Sequence, residues 1–460
     1  MSSRSSWARG DNDRLNSFYR AVTELPPGGR TNLPEELIVT HASELLTMRG
    51  PCRARVRDEM AELGVIRDGA VYVRDGVIQA VGDTPSILNW HDGRGIDKID
   101  ASGCVVMPGF VDPHTHLVFA GSREFELDLK IKGKTYMEIL NGGGGILRTV
   151  TDTRAASQDQ LFDQSSKRLN MMLEYGSTTV EGKSGYGLDK KTELRILETM
   201  RRLDKECSAD VVPTYMGAHA VPPEFSGGAD DYIQFIIDEV LLDLPSSGLA
   251  RFCDVFCEKG VFTVAQSRKV LMAAKALGLG LKIHADEFER TGGAELAAEV
   301  GAVSADHLAR PSDDGIMAMA RKQVVGVLLP GTPFASMESD YAEARRLMEL
   351  GVPIALATDL NPNCWNPSMQ FTVTLACHNM KMTPAEALVA STINAAAAIG
   401  REKSIGSLEE GKAADIIVMD VPSHAHIPYR MGVNLCSVVL KGGEVAFSAG
   451  REGLGAIAAV

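Results

Sequence analysis

Apolar residues fall along this chain in two rhythms. From about Leu37 to Cys104, short β-branched runs alternate with Gly turns, as in GAVYVRDGVIQAVG, which is the pattern of hairpins. The same pattern returns after about Gly406, in KAADIIVMDV and SVVLKGGEVAFSAG. The two ends of the chain are therefore expected to build one composite β-sandwich domain from residues 37–106 and 406–460. Between them, over 107–405, a different unit repeats: a short apolar run ending in polar residues, then a stretch with helical spacing such as AELAAEVG or EARRLMELG. The apolar runs are VVMPGFVDPHTH, TTVEGKSGYG, DVVPTYMGAH, FCDVFCEKG, LKIHADEFE, AVSADHLAR, VVGVLLPGT and PIALATDLNP.

Eight such units predict an α/β fold of the (β/α)8 TIM-barrel type, whose chemistry lies where strands end and the following loops begin. A doubly wound sheet would want a Gly-rich phosphate turn after an early strand. Neither candidate supplies one: GKS at 182–184 has Ser177 where the leading Gly is required, and the glycines at 142–145 are not followed by GK[ST]. Both read as loops.

Composition narrows the partners. The 460 residues carry 47 Lys plus Arg against 60 Asp plus Glu, a net charge of −13, and no basic block interrupts that balance. Nucleic acid is a poor partner for such a chain, and a small anionic substrate would have to be drawn in by local charge. Apolar stretches never approach the roughly 20 residues of a membrane helix, so no membrane span is expected. Residues 1–36 begin MSSRSSWARGDNDRLNSFYR, mixing Ser and Arg with Asp and lacking an apolar segment, and read as an N-terminal extension. The 8 cysteines are scattered with no CxxC, which suits buried thiols in a reducing compartment, hence a cytoplasmic protein.

The candidate chemistry sits at the strand ends. His114 and His116, two apart, point to one side of a strand and can grip one cation. That spacing alone is weak, because His424 and His426 repeat it in SHAHIP, where it reads as a polar loop of the β-domain. Context separates the two pairs: of 10 histidines, those at 114, 116, 219, 284 and 307 all fall at ends of expected barrel strands. Asp359 ends the eighth run; alone it would be a helix cap, but in this company it is a ligand or base. His114, His116, His284 and Asp359 then offer three nitrogens and one oxygen to one metal, with a position left for water. A metal there would lower the pKa of a coordinated water from about 15.7 toward about 7, which points to hydrolysis or hydrolytic deamination.

The stretches PGFVDPHTHLVFAGSRE, GGGGILRTV, VEGKSGYGLD, MGAH, HADE, ADHL and TDLNPN resemble the amidohydrolase superfamily of metal-dependent hydrolases and, taken together, its imidazolonepropionase family. The likeness covers nearly everything after about residue 36. It implies one zinc or iron held by His114, His116, His284 and Asp359, and hydrolysis of the lactam of 4-imidazolone-5-propanoate to N-formimidoyl-L-glutamate in histidine degradation. It assigns Arg123 to the substrate carboxylate, which its planar fork suits, and Tyr186 and His219 to substrate contacts. His219 is also a candidate donor to the developing oxyanion. Glu287 would contact the ring nitrogen or move a proton, and His307 would orient or deprotonate the water together with Asp359. Asn361 and Asn363 would line the pocket. Asn363-Cys364 departs from the Gly-Thr pair common in bacterial members, which puts the contacts of that loop in question. Lys183 is not placed like the carboxylated lysine of two-metal relatives, so a one-metal site is expected. The family also implies a homodimer.

Two other readings compete. A cytosine- or guanine-deaminase-like enzyme of the same superfamily would share the metal set but would not need Arg123, Tyr186 and His219 around a carboxylate. A non-catalytic scaffold on the same fold would have lost its ligands, and all four are present.

Overall fold

The computed structural model describes residues 36–90, 95–134, 138–139 and 142–450. Nearly all of the expected N-terminal extension, and residues 451–460, lie outside the described residues.

The chain begins with β1 (Glu36–Ala42), β2 (Glu44–Leu46), β3 (Val65–Ile66), β4 (Gly69–Arg74), β5 (Val77–Asp83), β6 (Asp97–Asp100) and β7 (Val105–Pro108). The barrel strands follow: β8 (Phe110–Thr115), β9 (Ser177–Lys183), β10 (Asp210–Ala218), β11 (Phe252–Cys257), β12 (Gly280–Ala285), β13 (Ser304–His307), β14 (Val325–Leu328) and β15 (Ile354–Leu356). The chain returns in β16 (Ile416–Met419), β17 (Cys436–Lys441) and β18 (Glu444–Ser448).

Eight parallel strands, β8 to β15, form one sheet in sequence order. It closes on itself where His116 N–H donates to Leu360 O at 2.9 Å and Asp359 N–H to His114 O at 3.2 Å. The expected (β/α)8 barrel is the fold the chain adopts. Helices between the strands start where their sequences say they should. Ser157 caps Gln158–Glu174 and Thr263 caps Val264–Ala276, each answered by a Gln three residues on.

The other strands make a four-stranded sheet, β5-β4-β1-β6, and a six-stranded one, β18-β17-β16-β7-β2-β3. The two ends of the chain meet in the second, where Ile416 pairs with Pro108 and Met419 with Val105. Leu37, Val39, Val71 and Val73 of the first sheet share an apolar core with Val106, Ile416, Val418 and Val438 of the second. One expectation needs correction: VVMPGFVDPHTH is two strands, with β7 in the β-domain and the barrel starting at Phe110. The break falls at Gly109, where a Cβ would lie 2.3 Å from Thr178 Oγ1, so only glycine lets the chain pass from one sheet to the other. Unbroken apolarity across Pro108-Gly109 hides this in the sequence. No helix among the described residues is long and apolar enough to cross a membrane.

Candidate active site

Side chains alternate along a strand, so Asp112 and His114, Glu181 and Lys183, and Lys282 and His284 are same-side pairs. All of these side chains are buried, and the barrel interior below its mouth is a charged layer rather than an apolar one. Lys183 Nζ lies 2.6 Å from Asp254 Oδ2, 3.1 Å from Glu181 Oε1 and 3.2 Å from Asp306 Oδ2. Lys282 Nζ lies 2.6 Å from the other Glu181 oxygen. Burial opposes the charge on Lys183, but Asp254, Glu181 and Asp306 outweigh it and hold the ammonium above its ordinary range. Burial likewise pushes the Asp306 carboxyl up, yet Lys183, Lys282 and His284 together leave it below its ordinary value.

This layer aims the histidines above it. His114 Nδ1 donates to Asp306 Oδ2 at 2.6 Å, and His284 Nδ1 to Asp254 Oδ1 at 3.1 Å. Both bonds place the proton on Nδ1 and leave Nε2 as a lone pair. Burial holds His114, His116 and His284 well below the ordinary imidazole pKa, so they are neutral, the form that ligates metal.

His114 Nε2, His284 Nε2 and His116 Nδ1 are buried without a hydrogen-bond partner. Buried unsatisfied nitrogens are costly and uncommon, and three at one barrel mouth mark a place built for something else to bind. Ligating atoms of His114, His116 and Asp359 lie within 4.8 Å of one another, as do those of His114, His284 and His307. His114 Nε2 is 3.7 Å from Asp359 Oδ1, while Asp359 Oδ2 accepts from Thr332 Oγ1 at 2.6 Å. One carboxylate oxygen is thus fixed and the other faces the imidazoles. The donor set fits a zinc- or iron-type cation. A third group, Asp254, His284 and Asp306, also satisfies the distances, but its carboxylates already hold Lys183.

Two of these residues reach the mouth through unusual backbone. His307 has φ 75° and Asp359 φ 53°, left-handed values that non-glycine residues take at a cost of about 1–3 kcal/mol. His307 follows Asp306 on β13, so regular alternation would send it to the opposite side; the turn at its own φ brings its ring centroid within 5.1 Å of that of His284.

Above the histidines lies a cavity of about 340 Å³, lined by Arg123, Tyr186, His219, Glu287, Asn361 and Asn363 among others, so every expected substrate residue is at one mouth. Arg123 Nε and Nη2 donate to the two Glu126 oxygens at 2.8 and 2.7 Å. Burial and the Asp359 charge push the Glu287 carboxyl well up, and its Oε2 lies 3.6 Å from His307 Nε2. Burial lowers His307 to about 4 and raises Asp359 to about 6. The Asn361 amide is committed to the loop: Nδ2 donates to Asp359 O at 2.9 Å, and Oδ1 accepts from Asn363 N–H at 2.7 Å and Cys364 N–H at 2.9 Å. At the Asn363-Cys364 pair, Cys364 is buried, while Asn363 turns its Oδ1 to Lys130 Nζ at 2.7 Å.

His219 stacks on His116 with centroids 4.7 Å apart, and its Nδ1 donates to Gly185 O at 3.0 Å. Gly185 is at φ 107°, and a Cβ there would come within 2.7 Å of His219 Nδ1. With that proton engaged and burial lowering the ring to about 4, His219 presents a lone pair at Nε2. In this state the neutral ring offers Nε2 as an acceptor toward the cavity. His424, of the second His-x-His, bonds Glu44 Oε2 at 2.8 Å in the β-domain, as a polar loop residue.

Sequence reasoning passed over Asp254, Asp306, Lys130 and Thr332. The Asp of ADHL could have been found, since it is the last same-side residue before the strand end.

Residues 105–445 match the model of the amidohydrolase family. An imidazolonepropionase of Geobacillus kaustophilus (strain HTA426) is 50% identical over 420 residues, covering 90% of this chain and 99% of the relative. The chain belongs to the imidazolonepropionase family of amidohydrolases. Imidazolonepropionases of Alkaliphilus metalliredigens (strain QYMF), 49% identical over 90% of this chain and 99% of theirs, and of Clostridium tetani (strain Massachusetts / E88), 46% over 89% and 98%, agree. Among solved structures, an Escherichia coli guanine deaminase superposes with a TM-score of 0.67 at 14% identity, covering 90% of this chain and 100% of its own. An adenosine deaminase from Xanthomonas campestris with bound zinc gives 0.64 at 18%, covering 92% and 94%. At such identities the likeness is one of fold, and it extends the amidohydrolase architecture to the β-domain as well as the barrel.

Proposed function

We propose that this protein is an imidazolonepropionase: it hydrolyses the lactam C–N bond of 4-imidazolone-5-propanoate to N-formimidoyl-L-glutamate, a step of histidine degradation. The observation that carries this reading is one cavity that joins unsatisfied imidazole nitrogens at its floor to Arg123 at its wall. A deaminase of a neutral base would use the floor but has no need of the wall.

His114, His116, His284 and Asp359 would hold one zinc or iron per subunit. When bound, such a metal acidifies water and polarises the ring carbonyl. The chain's own residues do the rest. Arg123 and Tyr186 hold the propanoate tail, and the His219 lone pair accepts a ring N–H. Asp359 and His307 are the acceptors for the water's proton. Glu287, whose carboxyl is pushed well up by burial and the Asp359 charge, hands a proton to the departing ring nitrogen, so that it leaves as a neutral formamidine nitrogen rather than an anion. Asn361 fixes the loop that carries Asp359, and the Glu258 carboxylate, accepting from Glu287 N–H at 3.0 Å, fixes the loop that carries Glu287.

The test is to mix the purified protein with enzymatically generated 4-imidazolone-5-propanoate and follow loss of its ultraviolet absorbance. Turnover is expected; metal-replete protein that leaves it intact but deaminates cytosine or guanine would overturn the proposal. We further propose a cytoplasmic homodimer without nucleic-acid or membrane partners, for which sedimentation equilibrium should give twice the chain mass of 49.4 kDa.

A further inference from the structure

Arg123 contributes less field to the cavity than its charge suggests. Its guanidinium is matched by the Glu126 carboxylate, which also accepts from Gly145 N–H at 2.7 Å, so the pair is close to neutral as a unit. An arriving carboxylate meets Glu126 along with Arg123.

Lys130 differs. It stands four residues after Glu126 on the short helix Phe125–Ile131, is half-buried, and lines the same cavity. Its Nζ donates to Asn363 Oδ1 at 2.7 Å and Ala335 O at 3.2 Å, both neutral oxygens, and it makes no ion pair among the described residues. Burial and the nearby Arg123 charge lower its pKa, and Glu126 and Glu338 oppose them only at longer range. An ammonium held by neutral acceptors gains a charge-assisted bond when a carboxylate arrives, and its flexible stem can follow the ligand. In a chain of net charge −13, an unmatched cation inside the cavity is what draws an anion to this point.

We propose that Lys130 is a specificity-determining residue: its ammonium binds the substrate's carboxylate beside Arg123, and Asn363 holds it ready in the empty cavity. The inference rests on the proposed activity and deepens it, assigning to Asn363 the task of positioning a second cation.

The test uses Lys130→Met, with Lys130→Arg as the charge-keeping control and Lys130→Gln as a second neutral variant should the first not fold. With 4-imidazolone-5-propanoate, Lys130→Met is expected to raise KM about tenfold or more, with kcat within about threefold of the parent and Lys130→Arg close to normal. Calorimetry with two ligands of one ring, 3-(imidazol-4-yl)propanoate and 4-propylimidazole, keeps this separate from the activity itself. Lys130→Met should lose affinity for the charged ligand and keep it for the neutral one. An unchanged KM and Kd, or equal loss for both ligands, overturns the role of Lys130. Failure of the unsubstituted protein to turn over the substrate overturns the proposed activity, and the calorimetric comparison then still decides Lys130.

Discussion

Asp306→Asn is the perturbation that most sharply probes how the charged layer serves the histidines. The substitution keeps shape and an acceptor while removing charge. Asp306 Oδ2 takes the His114 Nδ1 proton at 2.6 Å, and Oδ1 accepts from Ser304 Oγ at 2.7 Å. Asparagine can keep its oxygen on His114 and turn its NH2 to Ser304, whose hydroxyl can reverse. What goes is the anion that makes His114 a stronger ligand and matches Lys183 at 3.2 Å. Loss of such an outer partner weakens metal binding by about 10–100-fold, or about 1.4–2.7 kcal/mol. Asp254→Asn should fall lower in that range for His284, because that bond is longer at 3.1 Å. Competition with a chelator of known affinity, on reconstituted protein, measures both. Metal affinity within about twofold of the parent for Asp306→Asn would refute the claim that this carboxylate tunes His114.

Further predictions concern stability, substrate and metal. Lys183→Met leaves three buried carboxylates with only Lys282, which should cost about 3–5 kcal/mol. At about 2.1 cal/mol/K per residue over 460 residues, that lowers Tm by about 3–5 °C, readable by calorimetry. Arg123→Lys cannot reproduce the two-pronged bond to Glu126, so KM should rise by about tenfold or more with a smaller effect on kcat, seen in steady-state kinetics. Removing the metal with a chelator should abolish turnover and lower Tm, and excess metal at about 100 times Kd should restore about 2.7 kcal/mol of stability.

Much of this is legible in the sequence alone. The eight strands show because each is a short apolar run with a polar end, and a parallel barrel buries both sides of its strands. The histidines show because the same rule puts chemistry at those ends. What stayed hidden depends on contacts across strands or on backbone angles. Asp254 and Asp306 look like ordinary strand polars until β11 and β13 bring them to one lysine. The strand-end position already marks His307 for the site, but the positive φ that turns its ring toward His284 is encoded by no spacing rule. Lys130 lies on a loop helix far along the chain from Asn363, so its place in the cavity is a matter of tertiary packing. Gly109 shows the converse: a continuous apolar run conceals a change of sheet.

The central claim is that His114, His116, His284 and Asp359 share one cation at the barrel mouth. X-ray data collected on either side of the zinc and iron absorption edges, from crystals of protein purified without added chelator, test it most directly. A single anomalous peak per chain is expected, within bonding distance of three imidazole nitrogens and the Asp359 carboxylate. A peak between Asp254 and Asp306 instead, or no peak with those four side chains intact, would contradict it.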